Sequence, residues 1–109
     1  MFEMINATEL AKQVIAEALH KADVDQQKGL RLIRGKGLFL ELDEAGEADR
    51  VIRHNRKVVF IIGREVEQEL GPGLIDVQET DWGNDLVLRR KADQRSSVAV
   101  STRWITGQN

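Results

Sequence analysis

Residues 29–42 read GLRLIRGKGLFLEL, and this stretch decides the class of the fold. Leucine recurs at every second position on both sides of a glycine-rich centre, as expected for two half-buried strands. The centre, Gly35-Lys36-Gly37, is predicted to be a hairpin tip in which glycine adopts a positive φ. Binding of an anion by Arg34 and Lys36 is the alternative role for this tip. The tip is too short for a phosphate-binding loop and does not lead into a helix.

The N-terminal segment predicts one amphipathic helix and a polar connection. Asn6 is a suitable N-cap, and Glu9 follows three residues later, at the spacing of a capping box. Apolar residues then recur mostly at three- and four-residue steps, which favours a helix with one face on the core. These residues are Ala7, Leu10, Ala11, Val14, Ala18 and Ala22. Residues 23–28 are polar and connect the helix to the first strand, and Gly29 marks the break.

Beyond the hairpin, the pattern predicts further short strands. Residues 43–49 form an acidic, glycine-containing stretch, which is expected to be a solvated loop because its order does not match an EF-hand. Val51 and Ile52 begin a strand that ends in a turn at Asn55, a residue that tolerates positive φ. The run VVFII, residues 58–62, is short and β-branched. It is predicted to be a central strand buried on both faces.

The next part of the chain predicts a short helix and a second hairpin. The helix begins after Gly63, docks Val66 and Leu70 on the sheet, and stops at the sequence Gly-Pro-Gly, residues 71–73. Alternating apolar residues then predict two strands joined by a tight turn at residues 81–85.

The C-terminal tail divides the sequence into two parts. We predict a domain over residues 1–91 and, over residues 92–109, a polar linker with an extra strand or a partner-binding tail. Alternation at residues 98–104 favours a strand, whose free edge would permit self-association. Trp104 either packs against the core or is an interface anchor, whereas Trp82 is expected to pack against the core.

Composition limits the classes of function. A chain of 109 residues fits one domain, and 41% hydrophobic with 31% charged residues is typical of a soluble globular protein. The net charge of -2 gives no general attraction to nucleic acid or anionic lipid. We see no signal peptide and no apolar run long enough to span a bilayer, so we expect a cytoplasmic protein. Cysteine is absent, which excludes thiolate catalysis and thiolate-bound metal within this chain.

Few residues suggest chemistry. His20 and His54 are the only histidines, and neither has a second ligand at metal-binding spacing, although the fold could still bring them together with carboxylates. Basic residues fall at 31–36 and 89–91, and they would form one positive face if their strands were neighbours. No catalytic, cofactor-binding or metal-binding residue is predicted. The candidate interaction surface is formed by Arg34, Lys36 and Trp104.

The order of these elements resembles the HesB/IscA-like family, the A-type iron–sulfur cluster assembly proteins. The match is best over residues 74–88, where a strand, a polar turn and a returning strand stand in the family's places. KVVFIIGREVEQEL, residues 57–70, is similar to the family's V-x-V-V-V-D segment and short helix, and GLRLIRG, residues 29–35, to its G-L-R-L strand. The resemblance covers residues 5–90. It implies a mainly β fold (α+β is the alternative), a small mixed-strand sandwich or pseudo-barrel with an N-terminal helix and one short helix.

The chain departs from this family at the cluster ligands. The family places a cysteine in the loop after the G-L-R-L strand and a C-x-C near its C-terminus, and these thiolates hold iron or a cluster. Here the loop is Gly35-Lys36-Gly37, and the C-terminal region has no cysteine. The N-P that ends the family's returning strand is replaced by Arg89-Arg90. No ligand residue therefore carries over from the resemblance.

Three functional hypotheses follow. The first is a non-enzymatic, cysteine-free relative of the assembly proteins that binds an unknown protein partner and no cofactor. The second is an interaction module of unrelated function that reuses the fold. The third is a protein that binds metal through histidine and carboxylates. We expect neither nucleic acid nor membrane as a partner, and self-association stays open.

Overall fold

The computed structural model of the chain describes residues 4–81, 83–90 and 97–102. Within them the strands form one eight-stranded sheet in the order β1-β6-β7-β8-β3-β2-β5-β4, which curls into a nearly closed barrel. The mainly β pseudo-barrel with two helices is therefore confirmed. The elements are β1 (Ile5–Ala7), α1 (Glu9–Lys21), β2 (Lys28–Arg34), β3 (Leu38–Glu44), β4 (Arg50–His54), β5 (Lys57–Ile62), α2 (Arg64–Leu70), β6 (Gly73–Thr80), β7 (Gly83–Arg90) and β8 (Ser97–Thr102).

Alternate residues of the strands fill the inside of the barrel. In β2 and β3 the paired leucines Leu32 and Leu40 are almost fully buried, as the period-two pattern predicts. All five residues 58–62 of β5 are buried, and β5 lies between β2 and β4, so the predicted strand with two buried faces is confirmed. Among the described helices, none is long and apolar enough to cross a membrane.

The predictions for the hairpin tip and for the turn residues have different outcomes. The β2–β3 hairpin is confirmed, and its tip is closed by a 2.8 Å hydrogen bond from Gly35 N–H to Gly37 O. Positive φ at this tip is wrong, because the described glycines with positive φ are Gly71 and Gly83. The predicted positive φ at Asn55 is confirmed, with a value of 49°. Gly71, at φ 72°, ends α2 where a side chain would be strained.

The start of the first helix corrects the sequence prediction. Asn6 is not the N-cap, because it lies in the short strand β1, which pairs in parallel with β6. Thr8 is the N-cap instead, and its Oγ accepts a 3.1 Å hydrogen bond from Ala11 N–H. Leu10 is 53% exposed. The buried face of the helix consists of Ala11, Ile15 and Leu19.

Gly29 was expected at a break, but it lies inside β2. A Cβ at this position would come within 2.8 Å of Val58 Cγ1 on β5. Glycine is therefore required here by the close approach of two strands, and not by a turn.

The final strand is present but lies inside the sheet. β8 pairs antiparallel with β7 and parallel with β3, with Val100 opposite both Leu86 and Leu38. The predicted free edge is therefore wrong for residues 97–102, since both sides of β8 carry ladders, and self-association itself stays a prediction. The two tryptophans, Trp82 and Trp104, lie outside the described residues.

The barrel leaves one seam, between its edge strands β1 and β4. Arg50 on β4 donates to the carbonyl oxygen of Ile5 on β1 and, at 2.5 Å, to Glu67 Oε2 on α2. The same carboxylate accepts the Ile5 N–H at 2.9 Å. Both main-chain groups of Ile5 are thus satisfied by side chains where no neighbouring strand pairs with them. Burial acts to raise the pKa of Glu67, but the hydrogen bonds from Arg50 and Ile5 outweigh it and lower the pKa.

Replacing Glu67 tests this closure of the seam. Glu67→Ala should lower the free energy of unfolding by about 2–3 kcal/mol, because it leaves the Arg50 cation and the Ile5 N–H without their acceptor. Glu65→Ala, an exposed position on the same helix, should change it by less than about 0.5 kcal/mol. Denaturant unfolding of the two variants is the measurement. Equal values for both would contradict the role assigned to Glu67.

Candidate functional site at the hairpin end of the barrel

Arg34 and Lys36, two residues of the predicted interaction surface, lie at one end of the barrel. We call it the hairpin end, defined by the β2–β3 tip at residues 35–37. Strands β5 and β7 also end here, and β6 begins here, as their registers with β2, β3 and β8 require. Helix α2 joins β5 to β6 across this end. The tip and the helix therefore share one surface of the molecule.

Three arginines from three different strands hold the last turn of α2. Arg50 bonds Glu67, as described above, and Arg34 on β2 forms an ion pair with Glu69. Arg90 on β7 donates a 2.8 Å hydrogen bond to the carbonyl oxygen of Leu70, the last residue of the helix. Cations are favourable at a helix C-terminus, where unsatisfied carbonyls carry partial negative charge. The short acidic helix is thereby fixed to β4, β2 and β7.

The predicted surface residues Arg34 and Lys36 lie together at this end. The side chain of Arg34 is 49% exposed and that of its partner Glu69 is 53% exposed, so this ion pair lies at the surface. Lys36 is exposed at the tip and forms no ion pair within the described residues. The third predicted member, Trp104, lies outside those residues. Sequence reasoning missed Arg50 and Glu67, because residues 17 positions apart on a strand and a helix give no periodic signal.

The two basic clusters do not form one continuous face. β8 and β3 separate β7 from β2. Arg89 turns to Asp76, at 3.1 Å, and Arg31 lies on the side of the sheet that faces the acidic stretch. Of the described residues in the two clusters, Arg34 and Arg90 both contact the last turn of α2, and Lys36 lies at the tip beside Arg34.

The acidic stretch is ordered by Arg31. The chain between β3 and β4 must pass β2 and β5, and Arg31 on β2 bonds Asp43 at 2.6 Å and Asp49 at 2.7 Å along that path. It also donates to the carbonyl oxygen of Glu44 at 3.1 Å. Hydrogen bonds from Arg31, and one from Gly46 N–H, lower the pKa of Asp49 to about 2. The predicted solvated loop is confirmed, since residues 43–48 are exposed, and the Arg31 guanidinium is the cation that its carboxylates Asp43 and Asp49 bind.

The two histidines line one groove. His20 on α1 and His54 on β4 border an open groove of about 350 Å³ together with Glu17. His54 Nδ1 lies 3.9 Å from Glu9 Oε2. The fold thus brings the histidines to one place, but no group of three or more His, Asp or Glu side chains suited to a metal ion exists in the described part of the chain.

Comparison with known proteins supports a relationship of fold. No protein-family model matches the chain, and no curated protein matches its sequence. Among solved structures, the chain is similar to Escherichia coli SufA, a protein involved in the biosynthesis of iron–sulfur clusters. The superposition has a TM-score of 0.63 at 14% sequence identity, and it covers 85% of this chain and 91% of SufA. The resemblance predicted from the sequence is therefore confirmed at the level of the fold.

The Asp49–Arg31 pair predicts how stability depends on acid. The pKa of Asp49 is about 2 in the folded chain against an ordinary value of 3.8, so its stabilising effect is complete above about pH 4. This stabilisation is lost as the pH falls towards 2. Asp49→Asn should lower the free energy of unfolding at pH 7 by about 1–3 kcal/mol and flatten its decline between pH 4 and 2.

Unfolding curves recorded across this pH range provide the measurement. Glu47→Gln changes an exposed carboxylate in the same crossover and should reproduce the wild-type decline. An unchanged acid dependence in Asp49→Asn would contradict the role of the pair.

Proposed function

We propose that the chain is a non-enzymatic, cysteine-free relative of the iron–sulfur cluster assembly proteins, which acts in the cytoplasm by binding a protein partner. The observation that carries this proposal is a SufA-like fold whose hairpin end presents cations and no thiolate. The binding surface is centred on Arg34 and Lys36.

The residues at the hairpin end do not fit an iron–sulfur cluster. Protein-bound clusters are held by cysteine thiolates, with histidine as the usual replacement, and this chain has no cysteine. At the tip, Lys36 supplies the only side chain between two glycines, and a protonated ammonium has no lone pair to donate. The two histidines border a groove on α1 and β4, and neither helix α2 nor the tip lines that groove. We therefore assign no step to a cluster.

The exposure of the hairpin tip and its attachment to the core support partner binding. The tip extends beyond the paired residues Arg34 and Leu38, and a Cβ placed at Gly37 would meet nothing within 4 Å. Arg34 and Lys36 are exposed, and the strands that carry them are anchored in the core through Leu32 and Leu40. Exposed side chains on a rigid scaffold suit recognition, because little conformational freedom is lost on binding.

The interaction module of unrelated function stays as the alternative, and the identity of the partner distinguishes it from our proposal. A partner that belongs to iron–sulfur assembly would favour the relative of the assembly proteins. A partner outside that process would favour the reused fold. Binding of a metal by the histidines is not proposed, since two histidines without a third suitable donor in the described residues do not complete a site.

Cross-linking from the tip tests the binding surface. A photoreactive amino acid at position 36 should yield a discrete cross-linked protein in the native host, because the tip is expected to lie against the partner. The control is the same photoreactive amino acid at position 56, in the β4–β5 turn at the opposite end of the barrel. Mass spectrometry identifies the product and the contacted peptide. Cross-links of equal yield from both positions, or none from position 36, would contradict the proposal.

A further inference from the structure

The hairpin end carries a local excess of positive charge in a chain whose net charge is -2. Arg34 and Arg90 contact the last turn of α2, Lys36 lies at the adjacent tip, and Glu69 is the one acidic side chain that pairs with these three cations among the described residues. Arg90 is committed to the helix carbonyl of Leu70. Arg34 and Lys36 are the exposed cations at the tip itself.

The Arg34–Glu69 pair is a surface ion pair that can exchange its acceptor. Both side chains are about half exposed, and an ion pair in such a position contributes about 0–1 kcal/mol. The guanidinium has a planar fork of donors that matches a carboxylate, and it is already bonded to one. Glu69 therefore indicates which chemical group this position accepts.

Lys36 supplies a second cation two residues further along the chain. It forms no ion pair within the described residues, and the glycines on either side keep the approach to it open. An ammonium is a point charge that accepts any anionic oxygen at close range. Arg34 and Lys36 together would bind two successive acidic groups of an extended chain.

We propose that the hairpin end binds a carboxylate-rich segment of a protein partner, in which one partner carboxylate replaces Glu69 at Arg34 and another contacts Lys36. This inference rests on the proposed function and names the chemistry of its partner. A protein segment is favoured over nucleic acid for two reasons. Two exposed cations at the tip are few for a phosphate backbone, and the group already held by Arg34 is a carboxylate.

The inference predicts opposite changes in peptide affinity for variants that remove a positive charge and for a variant that removes a negative charge. The probe is a labelled synthetic oligoglutamate peptide titrated into the intact protein at low ionic strength. Arg34→Gln and Lys36→Gln should each weaken binding by about threefold to tenfold. Glu69→Gln should strengthen binding by about twofold to threefold, because it removes the internal competitor for Arg34. Arg56→Gln, the same charge change at the opposite end of the barrel, should leave the affinity unchanged.

Three results would overturn the inference. They are binding that is unchanged in both Arg34→Gln and Lys36→Gln, weaker binding in Glu69→Gln, and tighter binding of a single-stranded oligonucleotide of equal length than of oligoglutamate. Lys36→Gln removes no ion pair within the described residues, so it stays informative even if Arg34→Gln fails to fold. Raising the salt concentration should weaken the oligoglutamate complex, since exposed charges are screened.

The inference and the proposed function fail separately. A cross-link from position 36 to a peptide without acidic residues would retain the partner-binding function and overturn the acidic chemistry. Normal oligoglutamate binding with no cross-link from position 36 would retain the affinity for carboxylates and overturn the partner-binding function at this surface.

Discussion

Arg50 and Glu67 occupy the seam between the two edge strands, and the rest of the barrel depends on that contact. A sheet that closes completely would satisfy its edges by a continuous ladder, but here β1 and β4 are not paired. Arg50 donates to the carbonyl oxygen of Ile5, and Glu67 accepts a hydrogen bond from its N–H. Ile5 itself is fully buried. One interaction therefore closes the sheet, positions the N-terminal strand and fixes α2 across the hairpin end.

Other arginines also hold together parts of the chain that lie outside the strand ladders. Arg31 holds the crossover between β3 and β4 through Asp43 and Asp49, and Arg90 caps α2. In each case a guanidinium donates hydrogen bonds at a point where regular secondary structure supplies none. Arg34 differs, because its partner Glu69 is exposed and contributes little to holding the fold. This difference separates an arginine available for recognition from those that maintain the barrel.

The sequence predicts most of this fold, because the signals involved are local. Period-two alternation locates β2 and β3, the continuous apolar run locates β5, and the Gly-Pro-Gly stop ends α2. The position of the N-cap is not predictable in this way, because Asn6 is a favoured N-cap by type, and only the pairing of β1 with β6 excludes it in favour of Thr8. Pairing between strands that are distant in sequence cannot be inferred from the local pattern. The position of β8 between β3 and β7 depends on such pairing.

The candidate site was predictable only in part, for the same physical reason. Exposed cations beside glycines marked Arg34 and Lys36 as surface residues. The contact of Arg34 with Glu69 joins residues 35 positions apart, and it depends on how α2 crosses the end of the barrel. The convergence of the two histidines on one groove likewise comes from the packing of α1 against β4.

The central claim is that a SufA-like fold persists here without cluster chemistry. Anaerobic reconstitution with ferrous iron and sulfide, followed by metal analysis and visible absorption, tests it most directly. We predict a colourless protein with iron well below one equivalent, because no thiolate is present to hold it. Stoichiometric iron or a visible cluster chromophore after removal of unbound metal would contradict the account.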